Sequence, residues 1–302
     1  MESIPIAPNV LHLQSGSNMG LVIRDGQALL IDAGLDADAG RCALRVVEGQ
    51  DAHLTAVVVT HAHADHFGGA RLLQERVNVP VYAPHVEAAM MEHPIIEPLY
   101  LFGGAAPIEA LRHKFTLAQP CEIEQTLDPG PMRIGPFRLD VVPLPGHALN
   151  QIGVAVQSAG RRVLFCADAV FPQATIEKHK VLFCVDLDET LETIKTLSEL
   201  EYDCIAPGHG PAYGAGSAVD AVRRANRDRL LEVRDVVYET LESPRETSAL
   251  VQRIADHFSL RVSTPTAYYL TRTTVLAALS SLERADRAAP VIDGNIVKWT
   301  RS

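Results

Sequence analysis

Apolar residues in the first 216 positions come mostly in short runs closed by turn residues. Those of the last 86 repeat at helical spacing. Gly20–Ile23 and Gln27–Ile31 flank Asp25-Gly26, a dipeptide suited to a two-residue hairpin turn. Residues 39–49 fit a helix, and Ala56–Thr60 is a compact apolar strand of the kind covered on both faces. A helical stretch to about Val77 and a strand at Val79–Tyr82 follow, an alternation that predicts a layered α/β fold. Strands resume at Phe137–Val142, Ile152–Val156 and Arg162–Cys166. A helix from Leu187 to Leu200, with Asp186 and Glu189 at its start, then leads to a strand at Tyr202–Ala206. Residues 85–130 hold no sustained period and read as a largely helical insertion over the site. Beyond Ser217 the spacing predicts helices over 218–241, 246–258 and 266–284, then a small hairpin around Asp293-Gly294.

Composition narrows the class. With 302 residues, 47% hydrophobic and 21% charged, the chain can bury a substantial core. No basic region followed by an apolar block opens it and no run could span a bilayer, so a membrane role is not expected. Five cysteines without a C-x-x-C pair argue against a disulfide framework and fit a cytoplasmic location. The net charge of −10 is uneven: residues 218–302 carry 13 Lys/Arg against 11 Asp/Glu, and the rest carry 14 against 26. An acidic body of this kind does not attract a polyanion in general.

The chemistry concentrates in Thr60-His61-Ala62-His63-Ala64-Asp65-His66-Phe67-Gly68-Gly69. On a helix His61 and His63 would diverge, whereas on an extended segment alternate side chains share a face and can grip one metal. Asp65 and His66 fall where the chain turns into the next helix, placed to aim at a second ion. His147 after Pro145-Gly146, Asp168 after Leu164–Ala167, and His209 after Pro207-Gly208 each follow an apolar strand. Strand ends gathered at one rim of a sheet can build a site from such distant positions. An isolated His-x-His pair is more often ordinary histidine, and His147 or His209 alone could merely close a loop. The ordered set carries the signal.

This pattern, H-x-H-x-D-H at 61–66, then G-H at 147, an aspartate at 168 and G-H at 209, resembles the metallo-β-lactamase superfamily over about residues 10–215. The resemblance implies a four-layer αββα sandwich (residues 1–216) followed by a small helical, winged-helix-like domain (217–302). It implies two Zn2+, with iron or manganese as alternatives, His61, His63 and His147 holding one ion. Asp65, His66 and His209 would hold the other, with Asp168 bridging. Asp32 would support the ligand loop from behind. Ala167 stands where the family commonly has glycine. The implied reaction is attack by a bridging hydroxide, with Asp65 orienting it and serving as the catalytic residue. His179, between Lys178 and Lys180, is a candidate substrate contact, and the other histidines read as structural.

Asp168 in place of cysteine, His63 in place of glutamate, and only 41 positions from Asp168 to His209 disfavour several subfamilies. Phe171, where acyl-homoserine lactonases often carry tyrosine, disfavours another. What remains resembles glyoxalase II-like and lactamase-beta-like hydrolases, so the expectation is hydrolysis of an ester, thioester or lactone as small-molecule substrate. Two alternatives stay open. One is a single-strand endoribonuclease guided by RNA contacts from Arg223, Arg224, Arg227 and Arg229, although a solvated helix face explains those arginines as well. The other is a non-enzymatic metal sensor that binds nucleic acid or dimerises through its winged helix. Homo-oligomerisation is likewise left open.

Overall fold

The structure is a computed structural model describing residues 1–302. The first sheet has the order β1 (Glu2–Ala7), β2 (Val10–Gln14), β3 (Met19–Arg24), β4 (Gln27–Ile31), β5 (His53–Val58), β6 (Val81–Pro84) and β7 (Gln125–Leu127). Strands β1 to β4 run antiparallel to their neighbours, and β4 to β7 run parallel. The second sheet comprises β8 (Gly130–Ile134), β9 (Phe137–Pro143), β10 (Ile152–Ser158), β11 (Arg161–Ala167), β12 (Cys204–Pro207) and β13 (Tyr213–Gly214) in consecutive order. Only β11 and β12 pair in parallel there. The β3–β4 turn places Asp25 at φ 53° and Gly26 at φ 72°, the left-handed pair a tight hairpin needs.

Strand alternation decides which core each side chain enters. Leu29, Ile31, Ala56 and Val58 meet Leu139, Val154, Val163 and Phe165 between the sheets. The intervening Ala28, Leu30, Val57 and Val59 pack outward on helices α1 (Ala37–Glu48), α2 (Ala64–Phe67), α3 (Ala70–Val77) and α4 (His85–Glu92). On the far side, Leu164, Cys166 and Ile205 face outward into a third core. This produces the four-layer αββα sandwich.

Helix α5 (Ile96–Leu101) follows α4. The stretch to β7 is otherwise irregular apart from one 3-10 turn at Glu109–Leu111. Over the second sheet lie α6 (Gln173–His179), α7 (Leu187–Glu199), α8 (Ser217–Thr240), α9 (Thr247–His257) and α10 (Pro265–Arg284). The chain ends in the hairpin β14 (Ala288–Asp293) and β15 (Ile296–Arg301). Asp36 and Asp186 cap α1 and α7 by accepting from backbone amides. Leu230, Val251 and Val275 share one apolar cluster with Leu164 and Ile194, so the C-terminal helices pack directly onto the sandwich. No helix is long and apolar enough to cross a membrane.

Candidate metal centre

The ends of β4, β5, β9, β11 and β12 meet at one rim, where the sequence places Asp32, the 61–66 loop, His147, Asp168 and His209. His63 is extended (φ −71°, ψ 138°) and begins α2, so His61 and His63 share a side before Asp65 and His66 turn into the helix. Gly146 has φ 113°, a left-handed turn that reorients the chain ahead of His147. Gly208 serves differently. A Cβ there would lie 2.2 Å from Asp168 Oδ1 and 2.7 Å from His66 Cε1, so glycine is needed for room.

All seven side chains converge. Donor atoms of His61, His63 and His147 lie within 4.8 Å of one another, as do those of His61, His66 and Asp168, and those of Asp65, His66 and His209. The His66 and His147 Nε2 atoms each lie 3.4 Å from an Asp168 oxygen. His209 Nε2 is 3.4 Å from Asp168 and 3.5 Å from Asp65.

The outer ring nitrogens are already engaged. His66 Nδ1 donates to Asp32 (2.9 Å), His147 Nδ1 to the Phe183 carbonyl (3.0 Å) and His209 Nδ1 to the Gly16 carbonyl (2.8 Å). In the neutral, ligating form of each ring these bonds keep the proton on Nδ1 and turn an Nε2 lone pair inward. Asp32 also accepts from the Thr60 amide and hydroxyl at 2.8 and 2.9 Å, and Ser17 Oγ donates to Asp65 at 2.7 Å.

The electrostatics are those of a site short of positive charge. Burial holds His61 well below its ordinary value, helped by His66 and His63, and burial with His147 pushes His63 down to about 3. Burial also lowers His147. For His66 and His209 burial opposes the charge, but Asp168 and Asp65 outweigh it. They lift His66 well above its ordinary value and His209 to about 9. Asp168 is likewise held low by His209 and His66 despite its burial. His61 Nε2, His66 Nε2 and Asp168 Oδ1 are buried with no hydrogen-bonding partner. Buried polar atoms are normally satisfied, and three orphans facing one another fit a cation. The donor set of imidazoles and carboxylates fits a transition metal of the zinc type.

The centre opens into a cavity of about 340 Å³. His63, Asp65, His147, Asp168 and His209 form its floor, and His179 lies on its wall. The wall also contains residues that sequence reasoning missed: Glu97 from α5, Phe115, Phe183, and Leu270 and Thr271 from α10. A lone acid in the apolar run Ile95-Ile96-Glu97-Pro98-Leu99 was the one available signal. Phe171, on the same wall, stacks on His209 at 5.9 Å between ring centroids. Buried Asn226 of α8 clamps it by accepting from its amide (2.9 Å) and donating to its carbonyl (2.7 Å).

Residues 13–209 match the family model of the metallo-beta-lactamase superfamily, and the chain belongs to that family. It is similar to a probable metallo-hydrolase, YflN, of Bacillus subtilis (strain 168), with 27% identity over 66% of this chain and 81% of that one. It also resembles a hydroxyacylglutathione hydrolase of Xylella fastidiosa (strain M12). There the identity is 30%, and the match covers 50% of this chain and 44% of the relative. Among solved structures, a beta-lactamase domain protein from Burkholderia ambifaria superposes with TM-score 0.78 at 21% identity, covering 100% of this chain and 94% of that chain. A metallo-beta-lactamase family protein from Thermus thermophilus gives TM-score 0.73 at 18% identity, covering 99% and 100%. The protein is therefore a metal-dependent hydrolase of the superfamily, with the fold shared along its whole length.

Proposed function

We propose that this protein hydrolyses an ester, thioester or lactone in a two-metal centre, with zinc as the best match to the ligands. His61, His63 and His147 would hold one ion and Asp65, His66 and His209 the other, with Asp168 available to both. The three orphaned buried atoms of His61, His66 and Asp168 carry this reading. The ions, when bound, supply Lewis acidity and acidify a water near neutral pH. Asp65, fixed by Ser17, sits at the cavity floor as the proton acceptor. Asp32 holds His66 in its ligating tautomer, and Phe171 shields the floor beside His209.

The RNA-cleaving alternative has less support. Arg223 bonds Asp220 and the Ile194 carbonyl, Arg227 pairs with Asp228, and Arg229 bonds the Lys180 carbonyl and lies over Phe258. We read residues 217–302 as a winged-helix-like unit that supplies one wall of the cavity, and the body as a cytoplasmic enzyme of residues 1–216. The test is a panel of esters, thioesters and lactones offered to metal-quantified protein, beside Asp65→Asn and His61→Ala. Turnover lost in both variants is the expected result. Metal-loaded wild type that hydrolyses no panel member would overturn the proposal.

A further inference from the structure

The wall of the cavity is chemically one-sided. Among its lining side chains there is neither Lys nor Arg. Phe115, Leu182, Phe183, Leu260 and Leu270 supply an apolar surface, and the ionisable groups above the floor are Glu97 and His179. Burial and the adjacent Lys178 hold His179 below its ordinary value, which favours its uncharged form. Glu97 is only 6% exposed, lines the cavity, and its carboxyl has no hydrogen-bonding partner in the protein. Burial, then the charges of Asp65 and Glu87, drive Glu97 towards its uncharged form.

We propose that this cavity selects an uncharged substrate with an apolar acyl chain, and that Glu97 enforces the selection. The inference rests on the hydrolase reading above and gives it a substrate class. An apolar chain gains from leaving water against Phe183 and Leu270. The Glu97 carboxyl, facing the same space, offers a hydrogen bond to a neutral acceptor on the chain. Away from the metal-binding floor, a carboxylate or phosphate on that chain would lose its water against a wall lined by no lysine or arginine, beside a second acid. The same feature sets the pocket apart from one built to hold an anionic carrier or a nucleic acid, where lysine or arginine would line the wall.

The experiment compares matched thioesters on zinc-loaded protein: butanoyl against succinyl, and hexanoyl against adipoyl. Each neutral member should exceed its carboxylate partner in kcat/KM by at least about 100-fold, chiefly through KM. Each added methylene in the neutral series should raise kcat/KM by about four-fold until the cavity is filled. Glu97→Lys places a cation where the acid stood and should cut the neutral preference by about ten-fold or more. Leu270→Arg, at a half-buried position less prone to misfolding, should shift the preference in the same direction. Calorimetric binding of methyl ketone analogues, neutral and carboxylated, reads the same selectivity without turnover. Equal or better use of the carboxylates by wild type would overturn this proposal and leave the hydrolase reading standing. Tight, selective binding of neutral ketones with no hydrolysis of any thioester, ester or lactone would do the reverse.

Discussion

Asp32 lies outside the ring of seven, yet the geometry makes it the group on which His66 depends. Its carboxylate accepts from the Thr60 amide at 2.8 Å, from the Thr60 hydroxyl at 2.9 Å and from His66 Nδ1 at 2.9 Å. Asp32→Asn is the cleanest perturbation because volume is conserved and asparagine tolerates the left-handed backbone seen at φ 63°. An amide has only one acceptor oxygen. If that oxygen faces the Thr60 amide, the new NH2 group points at His66 Nδ1 and favours the tautomer protonated at Nε2. The lone pair that faces Asp168 is then lost. If the amide turns round, the NH2 group meets the Thr60 amide and a buried donor goes unsatisfied.

The first arrangement should weaken metal binding by about 10- to 100-fold. The second should cost the metal-free fold about 1–3 kcal/mol. Competition with a chromophoric chelator measures the first quantity, and urea unfolding of the metal-free protein the second. At least one must move. Wild-type affinity together with wild-type stability would refute the role given to Asp32. Lost stability with intact affinity would reduce that role to holding Thr60.

Four further outcomes are expected. Gly208→Ala drives a methyl against Asp168 and His66, and overpacking costs of about 1–3 kcal/mol should appear as a roughly 10- to 100-fold loss of metal affinity, read by elemental analysis after dialysis. His209, at about 9 without metal, is protonated at neutral pH, so zinc binding should release at least one proton, visible as a dependence of the binding enthalpy on buffer ionisation enthalpy. Its raised value stabilises the metal-free protein fully below the unfolded value of about 6.5 and loses that contribution as pH rises through about 9. His63, lowered to about 3, acts oppositely: as pH falls below about 6.5 the unfolded chain takes up a proton that the folded chain refuses, so metal-free stability should peak near pH 6.5. Ala167 adopts φ 48°, and Ala167→Gly should stabilise the fold by roughly 0.5 kcal/mol, the left-handed strain relieved less the entropy glycine adds to the unfolded chain; destabilisation in urea would contradict this.

What could be read from residues alone follows a physical division. The 61–66 loop, His147, Asp168 and His209 were legible because each stands directly after an apolar strand, and strand ends share a rim whatever the loops between them do. Asp25-Gly26 and Asp186 were legible because their effect is local, set by a dihedral or by an amide two or three residues away. The departure at Ala167 was also visible, and the structure gives its consequence as a positive φ beside the register shift between β11 and β12.

The cavity wall is a different kind of information. Leu270 and Thr274 repeat at the spacing of an ordinary core-facing helix, and nothing in that period distinguishes a side chain covered by protein from one left facing an empty space. Glu97 was hidden for the converse reason. It lines the cavity together with Phe115 and with Leu270, Thr271 and Thr274 of α10, which no window around residue 97 brings into view. The metal-ligand set therefore lies at strand ends that a short motif can identify, whereas the cavity wall is assembled from α5, the irregular segment and α10, and on the reading proposed above that wall would set substrate choice. For that reason selectivity among acyl groups has to be measured on this wall, with Glu97 and Leu270 as the positions where one substitution changes the charge a substrate meets.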